Sequence, residues 1–453
     1  MRASWRETLE TYKDRRMLTI LALGFSSGLP APLVFSNLSI WLRDVGVSRT
    51  EIGLFALVAT PYAINFLWAP LLDRLRLPWL TARLGRRRSW ALVTQLGLVA
   101  AILFLATTDP SQNLAVVALG CVFVTFLSAT QDIAIDAYRI DVLEPQRYGA
   151  GSAATIWGWH LGGTLVGGAG GLYLAASVGW NGAYAVLALA MGVGIAAVLL
   201  SPEPAVRPSA ETLAAEEKVT SWLRSRPGLA RWPTLGQLCT WGYGAVVAPF
   251  ADFTRRRGWL LILFFVFIFK LGDALLGRMS GVFYREMGFG LTEIAHVSKV
   301  YGLAANFAGV ALGGILVARM GQLKALFLSG FLTAATNLTY AWLAVSGKSM
   351  GVFIFAVVSD NFTTGLVTVA FVAYLSGLCN VAYTATHYAL LASLANLARI
   401  WFSASAGAMV DHLDGDWSTF FVFTAFVALL GLPLLLIIMK RFPEKGARHA
   451  IPP

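Results

Sequence analysis

The sequence predicts an all-α polytopic membrane protein with about twelve transmembrane helices in two six-helix bundles. Three observations lead there. The 453-residue chain is 57% hydrophobic with a mean hydropathy of +0.67. Only 13% of its residues are charged, about half the share usual in soluble domains. Apolar runs long enough to cross a hydrocarbon core about 30 Å thick recur along its length, with most charges between them.

The runs lie near 17–41, 50–72, 89–108, 113–138, 149–176, 181–200, 258–284, 291–318, 324–346, 349–377, 381–409 and 417–439. Each is bounded by charges, prolines or glycines. They are apolar all round and too long for the alternating strands of an outer-membrane barrel. The start, MRASWRETLETYKDRR, is polar, and the run after it is long enough to span, so no cleavable signal peptide is expected.

With both termini taken as cytoplasmic, about 27 Lys and Arg fall on inside segments and about 5 outside. Arg86–Arg88 and Arg255–Arg257 are the densest inside clusters. The net charge of +11 is therefore a topology signal, with some attraction to anionic membrane lipid, and no nucleic-acid partner is expected. Cys121, Cys239 and Cys379 have no metal-ligand spacing and read as structural thiols. The five histidines are scattered and form no catalytic set, so the chain is not expected to be an enzyme or to hold a metal or cofactor.

The most polar stretch, 201–257, divides the spans six and six: 1–200, a linker with a short amphipathic or interfacial helix, and 258–453. A weak repeat supports this division. "APLLDRLRLPWLTARLGRRRSW" (69–90) and "GGILVARMGQLKALF" (313–327) both put a small-residue helix end before a short basic loop. Parallel pseudo-symmetric halves are the arrangement of major facilitator transporters, with substrate at the midplane between them. Asp73 at one helix end and Arg86, Arg87 and Arg88 at the next helix start form a candidate latch holding one access state. "GGTLVGGAGG" (162–171) offers small faces for close packing, with no strand-to-helix context for a phosphate loop. Gly28 and Pro30 in "GFSSGLP" mark a kink and candidate hinge.

Ionisable groups inside spans cost about 2.5–3.5 kcal/mol each by insertion scales, which marks them as functional or paired. In "SATQDIAIDAYRID" (128–141), Asp132 and Asp136 share a helix face with Arg139 close by. Two acids in unlike surroundings, one beside a cation, differ in how readily they hold a proton, as a proton-coupled carrier requires. Asp141 reads as a static ion pair at the cytoplasmic end. "FIFKLGDALL" sets Lys270 about ten residues into an apolar run, too deep to snorkel, with Asp273 three later. Arg399 presents a planar fork suited to a carboxylate. His160, between aromatic neighbours, Asp360 and Asn361 are further candidates for a polar cavity, whereas His387 reads as a core histidine.

"LGFSSGLPAPLVFSNLSIWL", "FLWAPLLDR…GRRRSW", "SATQDIAIDAYRIDVL", "FKLGDAL" and "HYALLASLANLARIWFSASAG" resemble the AmpG muropeptide permeases, a branch of the major facilitator superfamily, over about residues 17–440. The resemblance implies a bacterial inner-membrane importer, taking up GlcNAc-1,6-anhydroMurNAc-peptides with protons for cell-wall recycling, and working as a monomer. It implies proton coupling at Asp132, Asp136 and Asp273. Gln131, Arg139, Trp159, His160, Lys270, Asp360, Asn361 and Arg399 become candidate substrate contacts. Two departures stand out. Gly158-Trp159-His160 replaces an expected Gly-Tyr-Arg, and Asp360 replaces a glutamate. A carrier of another amphipathic anion, such as an acyl-CoA or a lipid-linked sugar, is the competing reading. A non-transporting sensor or scaffold is a more distant one.

Overall fold

A computed structural model describes residues 14–47, 55–204, 217, 221, 247–290, 293–294 and 296–442. The expected 201–257 linker and Cys239 fall largely or wholly outside this set. The described residues form helices, eight stretches of which are long and apolar enough to cross a membrane.

The first span begins with α1, Arg15–Gly28. Asp14 caps it through a 2.9 Å bond from the Arg16 amide. The chain stays helical through Leu29, whose N–H bonds the Phe25 carbonyl at 3.1 Å, and through Pro30–Val34; it departs at Phe35 (φ −120°, ψ −91°) before Ser36–Asp44. The second span departs from the expected single run. It is a chain of short turns from Phe55 onward, ending in α2, Ala69–Arg74. Pro61 and Pro70 each open one of these pieces, since a residue without an N–H is tolerated only in a first turn.

The third and fourth spans are unbroken: α3, Arg86–Ala106, and α4, Leu114–Val142, which Asn113 caps. The apolar stretch Pro145–Leu200 is 56 residues long, enough for two crossings of about 20 residues each. It begins with α5, Tyr148–Trp159, widens to a π-helical segment over the glycine-rich His160–Gly170, and continues as α6, Gly171–Ala190. At Gly179 the backbone is non-helical (φ 75°, ψ 168°), a conformation only glycine adopts cheaply. Just beyond it, Asn181 Nδ2 donates to the Ala106 and Thr108 carbonyls. Two spans result, the second running on into Gly192–Leu200.

The other bundle comprises α7, Trp259–Phe269, and α8, Leu271–Glu286, which interrupt each other at Lys270; α9, Gly302–Met320; α10, Gln322–Ser346; α11, Met350–Gly377; α12, Thr384–His412; and α13, Trp417–Leu429, followed by α14, Gly431–Arg441. With the broken second span, α10 and α12 added, helices lie in all twelve of the expected runs.

Packing explains the glycines. A Cβ at Gly158 would lie 2.0 Å from the Leu21 carbonyl oxygen, and one at Gly28 would lie 2.2 Å from that of Trp159. So α1 and α5 touch backbone to backbone, and Gly28, expected as a hinge with Pro30, serves close approach, while the departure from helical geometry lies at Phe35. Across the bundles, α5 lies along α9 and α4 along α12.

Candidate functional site

Two polar regions stand out, one joining the bundles and the other lined by residues 270–396 of a single bundle, and they differ in construction. The first is at the basic-loop end. Arg87, 1% exposed, donates to Asp73 at 2.9 Å and to Asp141 at 2.7 Å. Asp73, fully buried, also accepts from the Ala385 amide at 3.2 Å, the Thr386 amide at 2.8 Å and the Thr386 hydroxyl at 2.8 Å. The Thr384 hydroxyl donates to Asp141 at 2.7 Å. Carboxylates of one bundle thus sit on the N-terminus of α12 in the other, where free amides and the helix dipole favour negative charge.

The three arginines expected in the latch separate, because successive residues on a helix point in different directions. Only Arg87 forms the ion pairs. Arg86 donates to the Asp73 carbonyl. Arg88 binds the Val198 and Leu199 carbonyls at 2.8 Å, closing the end of the sixth span. Glu203, with no counterpart in the sequence reading, caps α3 by accepting from the Arg87 and Arg88 amides at 2.8 and 3.1 Å. Asp141, read as a static pair, is part of the contact between bundles.

The second region is a cavity of about 810 Å³, well within the range of small-molecule sites. Lys270 stands at the break between α7 and α8, which frees its side chain to turn inward. Its Nζ is 3.4 Å from Asp273 and 3.5 Å from the Thr368 hydroxyl. Opposite, on α11, Asp360 accepts from the Tyr340 hydroxyl at 3.2 Å, which in turn accepts from Tyr284 at 3.0 Å. Asn361, Tyr388 and Asn396 also line the cavity. The Arg399 side chain lies outside the described residues.

On α4, Asp132 and Asp136 are both half-buried. Ser27 donates to Asp132 at 2.6 Å. Asp136 pairs with Arg139 at 3.0 Å. Arg139 is fully buried and binds the Ser152 and Ser376 hydroxyls, both at 3.1 Å, with its guanidinium 5.3 Å from the centre of the Tyr388 ring. Since Ser376 and Tyr388 belong to the other bundle, Arg139 is a tie across the interface. Gln131 differs from the sequence expectation: fully buried, it donates to the Ser26 carbonyl at 3.0 Å and faces α1. In a Gln-Asp pair on one helix only one side chain can look into a given face. His387 is a core histidine, its ring nitrogens bonded to the Asn380 amide and the Pro249 carbonyl.

Sequence reasoning missed Tyr284, Tyr340 and Tyr388. A signal for the first was present: Lys270, Asp273, Gly277, Gly281 and Tyr284 recur at helical spacing, so the face carrying the charges carries the tyrosine. Tyr388 had the same signal, lying eight residues before Asn396 and eleven before Arg399 on one helix face, whereas Tyr340 lies on a span with no charged neighbour at helical spacing.

Comparison with known proteins is consistent over nearly the whole chain. Residues 17–403 match the family profile of the Major Facilitator Superfamily. The Escherichia coli K12 protein named anhydromuropeptide permease is 36% identical over 431 residues, covering 95% of this chain and 81% of that one. A Rickettsia felis protein named as an AmpG transporter is 33% identical over 432 residues, covering 95% and 98%. Among solved structures, the proton:xylose symporter XylE superposes with a TM-score of 0.65 at 14% identity, covering 94% of this chain and 95% of that one. The human organic anion transporter MFSD10 superposes with a TM-score of 0.58 at 18% identity, covering 93% and 99%. These two matches carry the fold alone. The chain is a polytopic membrane transporter rather than an enzyme, and it belongs to the AmpG-type permeases of the Major Facilitator Superfamily.

Proposed function

We propose that the protein imports anhydromuropeptides, GlcNAc-1,6-anhydroMurNAc bearing a short peptide, across the bacterial inner membrane together with protons. In this reading both termini are cytoplasmic and the working unit is a monomer. The bundles 1–200 and 258–453 rock about their interface, joined by 201–257. The observation that carries the reading is the pairing of an interface closed at the basic-loop end with a charged cavity beyond it. Among the described residues, the hydrogen bonds between bundles run from the Asp73 and Asp141 contacts to Arg139–Ser376, Trp157–Phe307 and Ser393–Asn65. The cavity extends away from these, towards Tyr284 and Ile294. With the basic loops inside, this is the state that receives periplasmic substrate.

The mechanism follows from the charges. Substrate carboxylate meets Lys270 and a stem-peptide amine meets Asp273 or Asp360. Asp132 and Asp136 are the proton carriers. A proton on Asp136 weakens its hold on Arg139, which then releases Ser376 and Tyr388 of the other bundle. Arg399, Asn361, Trp159 and His160 complete the contacts with the ligand, and the latch, in which Arg87 holds Asp73 and Asp141 against the N-terminus of α12, reforms each time the inner end closes. The name of the Escherichia coli relative supports the choice of cargo.

The test is uptake of labelled muropeptide into proteoliposomes under an imposed inward proton gradient. Gradient-stimulated uptake is expected in the wild type and is lost in Asp132→Asn and Asp136→Asn. Accumulation that survives both substitutions refutes the proton role. Absence of uptake by folded protein shifts the cargo to another amphipathic anion, and indifference to every gradient and ligand favours a sensor or scaffold.

A further inference from the structure

A smaller chamber of about 340 Å³ adjoins the charged cavity, with Ser298, Asn361, Thr364 and Thr368 in the shared wall. Its remaining walls come from both bundles: His160 and Thr164 from the π-helical segment of one, Asn306 at the start of α9 from the other. Its described lining holds hydroxyls, amides and an imidazole but no carboxylate, ammonium or guanidinium. The charged neighbour, by contrast, holds Lys270, Asp273 and Asp360. Asn306 is 9% exposed and donates to the Asn361 carbonyl at 3.2 Å, but its own Oδ1 is buried and meets no donor. A buried acceptor without a partner costs about 1–3 kcal/mol, which a ligand N–H or O–H would recover.

We propose that this chamber is a separate subsite for a neutral, hydroxyl- and amide-rich group, the sugar portion of the substrate, while the charged cavity takes the peptide. This rests on the muropeptide reading above. Dividing the ligand this way matches each part to its surroundings: a sugar offers donors and acceptors without charge, whereas the peptide's termini need counter-charges. The Asn306 side-chain Oδ1 accepts from an acetamido N–H or a ring hydroxyl. Thr164 and Thr364 contact the same group from opposite bundles, so a seated sugar touches both moving parts. Thr368, bonded to Lys270 at 3.5 Å, stands at the junction between the two subsites.

Calorimetric titration of the full chain in nanodiscs tests this with two ligands, the intact muropeptide and its peptide-free disaccharide. Wild type is expected to bind both. Thr364→Val weakens both by about two- to tenfold, the worth of a neutral hydrogen bond, and Thr364→Ser restores them. Thr164→Val, on the other bundle, does the same and serves if Thr364→Val does not fold. Lys270→Met weakens the muropeptide while leaving the disaccharide unchanged. The subsite is overturned if wild type binds the muropeptide but not the disaccharide. It is equally overturned if the threonine variants leave disaccharide binding intact, or if Lys270→Met weakens both ligands alike. Failure of wild type to bind the intact muropeptide overturns the proposed cargo itself, and this subsite with it.

Discussion

The latch and the cavity are both built from carboxylates and basic side chains, yet they are opposites in finish. At the latch Arg87, Asp73 and Asp141 are essentially inaccessible, and each acid has two or more donors at 2.7–3.2 Å. In the cavity Lys270 and Asp273 remain 17% and 22% exposed and stand 3.4 Å apart. A saturated, dry cluster holds one arrangement firmly and offers nothing to a ligand. A loose, partly exposed pair keeps charge available for exchange. The difference separates a part that sets the state of the carrier from a part that handles cargo.

The largest effect is expected from breaking the saturated cluster. Arg87→Met leaves two buried carboxylates without their cation, a loss of about 3–5 kcal/mol in buried pairs. The closed inner end then gives way by a hundredfold or more in population. Spin labels at Leu75 and Val381, exposed residues on opposite bundles, should report a longer distance in the variant. An unchanged distance would mean that the helix-end contacts of Asp73 alone hold the end shut.

The same operation on the loose pair should act on transport instead. Lys270→Met removes a charge-assisted contact worth about 1.5–3 kcal/mol, so uptake should fall between about tenfold and a hundredfold. Asp273 keeps 22% of its side chain exposed, and the melting temperature should move little. A large drop in thermal stability with modest loss of uptake would reverse the comparison and make this pair structural.

The packing between α1 and α5 offers a control that touches neither charged region. Gly158→Ala forces a Cβ against the Leu21 carbonyl oxygen, and overpacking of this kind costs about 1–3 kcal/mol. A lower melting temperature with the pH response of uptake preserved is expected, measured on the same proteoliposomes.

What the sequence made legible follows from range. Apolar runs, basic loops and charges within one helix are local, so the spans, the topology signal, Lys270–Asp273 and Asp136–Arg139 were all readable. The break-up of the second span was partly readable in Pro61 and Pro70. The bonds that join the bundles were not: Asp73 meets Thr386 across 313 residues and Arg139 meets Ser376 across 237. Periodicity says which face a residue occupies but not which helix lies opposite. For that reason the sequence alone does not separate Gln131 from Asp132 or Arg87 from its two neighbours, and gives no sign of Glu203 or Tyr340.

The smallest effect belongs to a third charged site, as closely bonded as the latch but overall at least as exposed as the cavity pair, at the start of α1. Asp14 binds Arg16 at 2.8 Å and Arg147 at 2.6 Å, with all three side chains 20–34% exposed. The hydrogen bond from Arg16 and the charges of both arginines hold its carboxyl below the usual range, against the opposing pull of burial. A depressed value in the folded state means that the stabilisation is complete above the unfolded carboxylate value of about 4. It is lost as pH falls through the folded value. Asp14→Asn keeps the helix cap but removes the charge, at a cost of no more than about 1 kcal/mol for pairs this exposed. The melting-temperature difference from wild type should therefore be small at pH 7, should shrink on acidification towards pH 3, and should also shrink with added salt. A difference that persists in acid would assign the effect to the cap geometry rather than to the ion pair. Asp14 would then join the latch as a fixed structural contact.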